Sequence, residues 1–351
     1  MSAEREAAEQ RGAAGQGPAR PRLSVVIPCF NEEECLDALC QRVGAACRAS
    51  VGDDYELVLV NDGSQDGTWA GIAALARADE RVVGVDLSRN HGHQLALTAG
   101  LTVCQGERVL IIDADLQDPP ELLGPLLQTM DEQDADVVYG QRRARAGETL
   151  FKKTSAALFY RVLRSLTDVE IPLDTGDFRL LSRRALEALL AMPEQHRFVR
   201  GMVSWVGFHQ VPLLYDRAER FSGVTKYPLK KMVRFALDAI TGFSTRPLRL
   251  ASYFGLLLAL PAFVLLVYTL YSWLALDTVR GWTSLMVVVL FLGSAQMIVL
   301  GVLGEYIGRL YMEAKRRPLF VIRDIVATRR GGRPGRGSVP PALGVGPSGV
   351  L

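Results

Sequence analysis

The sequence predicts an α/β domain with a mainly parallel sheet and helices on both faces, followed by a two-helix transmembrane hairpin. Three observations carry that expectation. Short β-branched runs end in polar loops and alternate with helical segments, the grammar of βαβ units and a parallel sheet. A fourth such run, Val109-Leu-Ile-Ile112, stops abruptly in the acidic stretch Asp113-Ala-Asp-Leu-Gln-Asp-Pro-Pro-Glu121. Finally, no charged residue occurs between Arg249 and Asp277, nor between Arg280 and Glu305, and each gap exceeds the roughly 20 residues that cross a bilayer.

The elements follow in order. Residues 1–20 have no apolar core of a signal peptide and read as a disordered Ala/Gly/Gln/Glu/Arg tail. Leu23–Ile27 is the first strand and ends in Pro28-Cys-Phe-Asn-Glu-Glu33, ahead of a helix over 34–49. Tyr55–Val60 ends in Asn61-Asp-Gly-Ser-Gln-Asp-Gly67 before a helix over 68–78, and Val82–Asp86 ends in Leu87-Ser-Arg-Asn90 before a helix over 94–104. All four strand ends therefore share one rim, and in open α/β sheets ligands bind outside the carboxyl ends of the strands. Asp62 is placed to accept from a base N–H or a ribose hydroxyl, with Gly63 letting its turn approach a ligand. Asp113 and Asp115, one residue apart at a strand end, offer hard oxygen ligands for Mg²⁺ or Mn²⁺ on a diphosphate; the competing reading is a solvated acidic turn. Neither G-x-G-x-x-G nor G-x-x-x-x-G-K-[ST] is present, which argues against a dinucleotide fold and a P-loop.

Charge and cysteine usage decide less. A net charge of +2 excludes neither a membrane nor a nucleotide partner, and nothing in the pattern points to nucleic acid. Five cysteines, without a C-x-x-C pair, read as reduced packing residues of a cytosolic domain. Of the four histidines, His91 and His93 are close in sequence, but on a loop after a strand they read as local polar structure rather than metal ligands.

Pro28-x-Phe-Asn-Glu32, Asn61-Asp-Gly-Ser64, Asp113-x-Asp-Leu-Gln117 and Gly176-Asp-Phe-Arg179 together resemble the family 2 glycosyltransferases of GT-A fold. More narrowly, the resemblance is to the polyprenyl-phosphate glycosyltransferases, which include dolichol-phosphate mannose synthase and the bactoprenol glucosyltransferases, and it runs from about Leu23 to about Val321. One departure is Phe30, where that family usually has Tyr. The resemblance implies a divalent metal on Asp115 and Gln117, with Asp113 near the metal or ribose. It places Pro28, Phe30, Glu32, Val60, Asp62, Asp113 and Ala114 around the nucleotide. It gives Arg142, Lys153, Arg220 and Lys226 to phosphates of donor or acceptor, and Asp177 to the catalytic base. A phosphate acceptor with a second pKa near ~6 is already largely dianionic at neutral pH, so Asp177 reads as essential to the site more firmly than as a proton acceptor.

The C-terminal half is read from charge and aromatic placement. Tyr253, Tyr268, Tyr271, Trp273 and Trp282 cluster near the ends of the two apolar stretches, as interfacial aromatics do. Lys230, Lys231, Arg234, Arg246 and Arg249 precede the first span, and Arg309, Lys315, Arg316 and Arg317 follow the second. The positive-inside rule then puts both ends in the cytoplasm and the Asp277–Arg280 turn outside. Leu229, Met232, Val233, Ala236, Leu237 and Ile240 recur at helical spacing behind Pro228, either as an interfacial helix or as one packed on the domain. A second amphipathic stretch from Phe151 to Leu166 leaves the same two readings open. Gly304-x-x-x-Gly308, with Gly293 and Gly301, serves either a hairpin contact or an oligomer, and the family resemblance leans toward a homo-tetramer.

The expected organisation is a tail over 1–20, a cytoplasmic GT-A domain over 21–225, an interfacial helix over 226–247, and two spans within 248–312 (250–276 and 281–304). A mostly disordered basic tail over 313–351 completes it. The expected function is inverting transfer of one sugar from a nucleotide donor to polyprenyl phosphate at the cytoplasmic membrane face. Glucose from UDP-glucose is favoured by Gly176–Arg179 and by the segment Phe198–Gly207; UDP-N-acetylglucosamine, UDP-galactose, UDP-4-amino-arabinose and GDP-mannose stay open. A processive polysaccharide synthase is disfavoured because Q-x-x-R-W is missing, and a non-catalytic scaffold because the acidic motif and Asp177 are intact.

Overall fold

The computed structural model describes residues 20–142, 175–216, 246–275 and 281–328. Lys153, Arg220, Lys226, the two amphipathic stretches up to residue 245, the turn at 276–280 and most of both tails lie outside them.

The described elements are β1 (Leu23–Cys29), α1 (Leu36–Val51), β2 (Tyr55–Asn61), α2 (Thr68–Ala78), β3 (Val82–Leu87), α3 (His93–Val103) and β4 (Arg108–Ile111). After a single 3-10 turn at Pro120–Leu122 come α4 (Leu123–Glu132), β5 (Val137–Arg142), β6 (Thr175–Ser182), α5 (Arg183–Ala191), α6 (Val199–Val206) and β7 (Gln210–Tyr215). Two long helices, α7 (Arg246–Ala275) and α8 (Trp282–Ala314), precede a last strand, β8 (Ile322–Ala327).

The strands form one sheet in the order β7-β5-β6-β4-β1-β2-β3-β8. The expected parallel block is present as β4-β1-β2-β3. Beside it β6 runs antiparallel to β4 and β5, which makes the sheet mixed. Alternation along the strands sends side chains to opposite faces. Val25, Ile27, Leu57, Leu59, Leu110, Ile112 and Phe178 pack under α1, α2 and α4, through residues such as Leu39, Ile72 and Leu126. Val26, Val58, Val60, Val109, Ile111 and Leu181 pack under α3, α5 and α6, through Leu97, Leu186 and Met202. Strands covered on both faces explain why the sequence reads as continuous apolar runs rather than alternating ones.

The spacing of α3 above the sheet is set by Gly100. A Cβ there would stand 2.8 Å from Val60 Cγ2 and would also collide with Val26, so only glycine lets α3 lie this close. That approach puts the first residues of α3 at the strand-end rim.

The two predicted spans correspond to α7 and α8, which pack on each other. Many of their large apolar side chains face outward, including Leu256, Leu257, Leu260, Phe263, Leu285 and Met297. Exposed apolar surface of this extent is stable in lipid and costly in water. Among the described residues, Phe291–Ala314 is the helix long and apolar enough to cross a membrane by length and composition. The glycines at 293, 301, 304 and 308 meet no described atom within 4 Å of an added Cβ, so they do not mediate the α7–α8 contact among the described residues.

The strand β8 was not expected. Its residues fall in the segment read from sequence as a mostly disordered tail, yet they pair antiparallel with β3 from Val83↔Ala327 to Leu87↔Ile322. Ile-Arg-Asp-Ile-Val-Ala is apolar enough for an edge strand, but its partner lies over 200 residues upstream, beyond the reach of local patterning.

Candidate active site

The rim is assembled by hydrogen bonds between successive strand-end loops. Asn31, in a left-handed conformation with φ of 56°, donates from its backbone to Ser64 Oγ at 3.0 Å and accepts Gln65 N–H on Oδ1 at 3.0 Å. Glu32 N–H donates to Thr68 Oγ1 at 2.9 Å, and Gly67 N–H donates to Glu33 Oε2 at 2.8 Å. Asp62 accepts from His91 N–H at 2.7 Å and Gly92 N–H at 3.0 Å, one on each carboxylate oxygen. Asp62 thus holds the loop after β3 in place, a duty the sequence reading did not assign to it. Gly63 is likewise redirected. Its φ is 65°, and a Cβ there would stand 2.5 Å from Arg89 C and Asn90 N, so the turn closes on the neighbouring loop's backbone.

Together these loops line an open cleft of about 440 Å³ whose walls include Pro28, Phe30, Glu32, Asp62, Asn90, His93, Asp113, Ala114 and Asp115. Six of the seven residues expected around the nucleotide therefore converge. The exception is Val60, which is fully buried and points under α3. Phe30 keeps its ring 45% exposed at the mouth.

A carboxylate cluster forms the floor. The antiparallel pairing of Ile111 with Arg179 carries β4 and β6 past each other so that Asp113 and Asp177 emerge near one another on the α3 face. His93, at the start of α3, places Nε2 3.2 Å from Asp177 Oδ2 and 3.5 Å from Asp113 Oδ1. Gln94 Nε2 donates to Asp177 Oδ2 at 3.1 Å, and Arg200 Nε donates to Oδ1 at 2.8 Å. Gln94 also accepts Val199 N–H on Oε1 at 3.0 Å, tying α3 to the start of α6.

The electrostatics divide the two acids. Burial would raise the pKa of Asp177, but the positive charge of Arg200, hydrogen bonds from His93 and Arg200, and the charge of Arg179 outweigh it. Its carboxyl is held well below the ordinary range. Asp113 is pushed up to about 6, first by burial and also by the negative charge of Asp177, Asp118 and Asp115, with His93 opposing. Burial tends to lower the His93 pKa, while Asp177 and Asp113 raise it, and the carboxylates prevail.

Asp115 accepts Gln117 N–H on Oδ1 at 3.1 Å, folding the acidic motif into a turn in which Leu116 takes a φ of 54°. Asp113 Oδ1 is buried and accepts no hydrogen bond, with the His93 ring 3.5 Å away, so it retains a lone pair that a cation could use. Hard oxygen donors on Asp113, Asp115 and Gln117 in this turn suit a divalent ion in chemical type. His93, Asp113 and Asp177 also bring three ligand atoms within 4.8 Å of one another. Arg200 already neutralises Asp177, which favours an ion-pair network at that trio over a second metal.

Behind the motif, Asp118 accepts from the Tyr215 hydroxyl, and Arg142 Nη2 lies 3.8 Å from Asp118 Oδ1. Burial, reinforced by Asp118, pushes the Tyr215 phenol up to about 12. Arg142 on β5 is thus held against Asp118 and the Tyr215 hydroxyl, behind the acidic motif and outside the residues that line the cleft. His93, Gln94, Arg200 and Tyr215 are the residues sequence reasoning missed. The signal for His93 in the sequence is its position just after a strand-end loop, where a histidine more often reads as local polar structure.

The chain matches glycosyl transferase family 2 over residues 24–190 and the GtrB C-terminal hairpin over residues 246–310. An uncharacterized glycosyltransferase of Bacillus subtilis, YkcC, is 46% identical over 303 residues, covering 86% of this chain and 93% of that protein. The chain belongs to glycosyl transferase family 2. Within that family, a prophage bactoprenol glucosyl transferase homolog of Escherichia coli is 41% identical, covering 87% of this chain and 99% of the relative. The bactoprenol glucosyl transferase of Shigella phage SfV is 40% identical, covering 86% and 98%. The family 2 match spans β1 to α5 and so contains the cleft, the acidic motif and Asp177, while the hairpin match coincides with α7 and most of α8. The mixed sheet, with its acidic motif at the end of β4, is the GT-A arrangement expected of the family.

Proposed function

We propose that this chain transfers a single glucose from UDP-glucose to polyprenyl phosphate, with inversion, at the cytoplasmic face of the membrane. The observation that carries the reading is the convergence of the nucleotide-side loops with Asp113 and Asp115 on one cleft, where His93 in the wall also joins Asp113 to the buried Asp177, in a domain that continues into an apolar hairpin. The names of the relatives, bactoprenol glucosyl transferases, support glucose and a polyprenyl phosphate acceptor. The hairpin match and the outward apolar faces of α7 and α8 support membrane association. Two spans with both ends cytoplasmic remain the reading of the basic flanks.

Each group then has a task. Phe30 offers an apolar ring face for the base at the mouth of the cleft, while Glu32 and Asp62 bring acceptor oxygens to that side. Asp113, Asp115 and Gln117 would hold Mg²⁺ or Mn²⁺, which when bound supplies Lewis-acid stabilisation to the departing diphosphate. By resemblance, Arg142, Lys153, Arg220 and Lys226 supply positive charge for phosphates. Asp177 stays ionised and fixes Arg200 and His93 in the floor, so the acceptor phosphate is oriented rather than deprotonated.

The test is transfer by the purified full chain in detergent, with radiolabelled UDP-glucose, a short polyprenyl phosphate and Mg²⁺ or Mn²⁺. A labelled lipid carrying one sugar is expected. Polymeric product, or transfer from another nucleotide sugar only, would overturn the reading.

A further inference from the structure

We propose that Arg323, on the strand that follows the membrane hairpin, is a positioning residue for the donor half of the cleft. Its guanidinium donates from Nη1 to Asp86 Oδ2 at 3.2 Å and from Nη2 to Ser88 O at 2.6 Å. Asp86 is 1% exposed, so its charge needs a close cation and full hydrogen bonding. The other oxygen of Asp86 accepts Asn61 Nδ2 at 2.7 Å. Asn61 Oδ1 in turn accepts Ser64 N–H at 3.1 Å, and Ser64 Oγ accepts Asn31 N–H at 3.0 Å. Asn31 stands between Phe30 and Glu32, both in the cleft wall.

The second arm of Arg323 reaches the other loop. Ser88 opens the segment that carries Asn90 and Gly92 into the cleft, and its N–H donates to Val321 O at 2.9 Å. Arg323 therefore sits where the loops after β2 and β3 diverge and fixes both. It is mostly exposed, with a side chain 60% accessible, so it fills no core space that its removal would empty. The pairing of β8 with β3 is carried by the backbone and does not need this side chain.

The same stretch grips the Asp177 side of the site as well. Gln195 N–H donates to Glu313 Oε1 at 2.7 Å, and Gln195 Nε2 donates to Arg317 O at 2.9 Å. Gln195 lies on the loop leading to α6, which bears Arg200. The end of α8 and the strand after it thus touch both sides of the site, and the position of the hairpin is passed to the donor loops through Arg323.

The proposal rests on the nucleotide-sugar reading for its ligand but not for its structural core, so two measurements separate them. Hydrogen exchange on the full chain in detergent should show the amides of Ser64, His91 and Gly92 exchanging at least ten-fold faster in Arg323→Ala than in wild type. Arg323→Lys should restore most of the protection. Calorimetric titration with UDP should give an affinity about ten-fold weaker for Arg323→Ala, and steady-state rates should show a raised donor KM with kcat nearly unchanged. A lowered melting temperature with unaltered loop exchange and donor KM would make Arg323 a fastener of the edge strand only and overturn the proposal. Failure of the wild type to bind UDP would count against the donor reading, while the exchange result would still decide the role of Arg323.

Discussion

Replacing Asp177 by Asn keeps the side-chain shape and removes one charge, which separates an organising carboxylate from a proton acceptor. In the native site Arg200 and His93 hold this carboxyl below its ordinary value of 3.8, despite burial. A group more than three units below neutral pH accepts a proton only at a cost above about 4 kcal/mol, at 1.36 kcal/mol per unit. A depressed pKa leaves the group charged throughout the neutral range and loses that charge only under strong acid, so Asp177 contributes no inflection to the native rate between pH 6 and 9. The Asn variant forfeits the charge-assisted part of the 2.8 Å bond from Arg200. Hydrogen bonds to charged groups are worth about 1.5–3 kcal/mol, which predicts a fall in kcat of roughly 10- to 150-fold. Initial rates of sugar transfer between pH 6 and 9 provide the assay, and the variant rate should not climb toward the native rate as pH rises from 7 to 9. Arg200→Ala should give a loss of similar size. Recovery of Asp177→Asn to near the native rate between pH 7 and 9 would refute the argument, because only a missing base is replaced by hydroxide.

Other outcomes follow from the same geometry. Asp115→Asn should abolish transfer while leaving the protein folded and membrane-bound, since a lost charged ligand costs several kcal/mol of leaving-group stabilisation; near-native turnover by this variant in EDTA would remove both the metal and the motif assignment. Gly63→Ala should weaken UDP binding by at least ten-fold, because the left-handed φ costs about 1–2 kcal/mol and the new Cβ meets the Arg89–Asn90 backbone, so native UDP affinity in titration would contradict the loop packing. A cysteine at Thr278 should label from outside the cell, with probes at residues 20 and 335 protected, and external labelling of either end would reverse the orientation.

Much of the donor half was legible because its information is local. A βαβ unit sets strand, loop and helix in register within a short stretch, so Pro28, Phe30, Glu32, Asp62 and Asp113 were assignable to one rim from the runs that precede them. The two long apolar helices were legible for the same reason, since a continuous uncharged stretch needs no partner to be recognised. Tertiary structure decided what depends on distant register. The pairing of β4 with β6 brings Asp113 beside Asp177, and the closeness of α3 to the sheet at Gly100 lowers His93 onto both. Asp62 was read as a ligand contact and does line the cleft, but its oxygens also hold the 91–92 backbone, because a carboxylate's partners depend on which loop folds over it. Val60 was placed near the base and ribose by resemblance, and strand alternation decides that its side chain packs under α3. Furthest from any local signal is β8, which returns after the hairpin to pair with β3 and place Arg323 on Asp86. The sequence alone thus determined the types of element and the chemistry each rim residue can offer, because propensity, period and functional groups belong to short segments. Only the tertiary structure decided which groups meet, because hydrogen bonds and ion pairs act over a few ångströms between residues far apart in the chain.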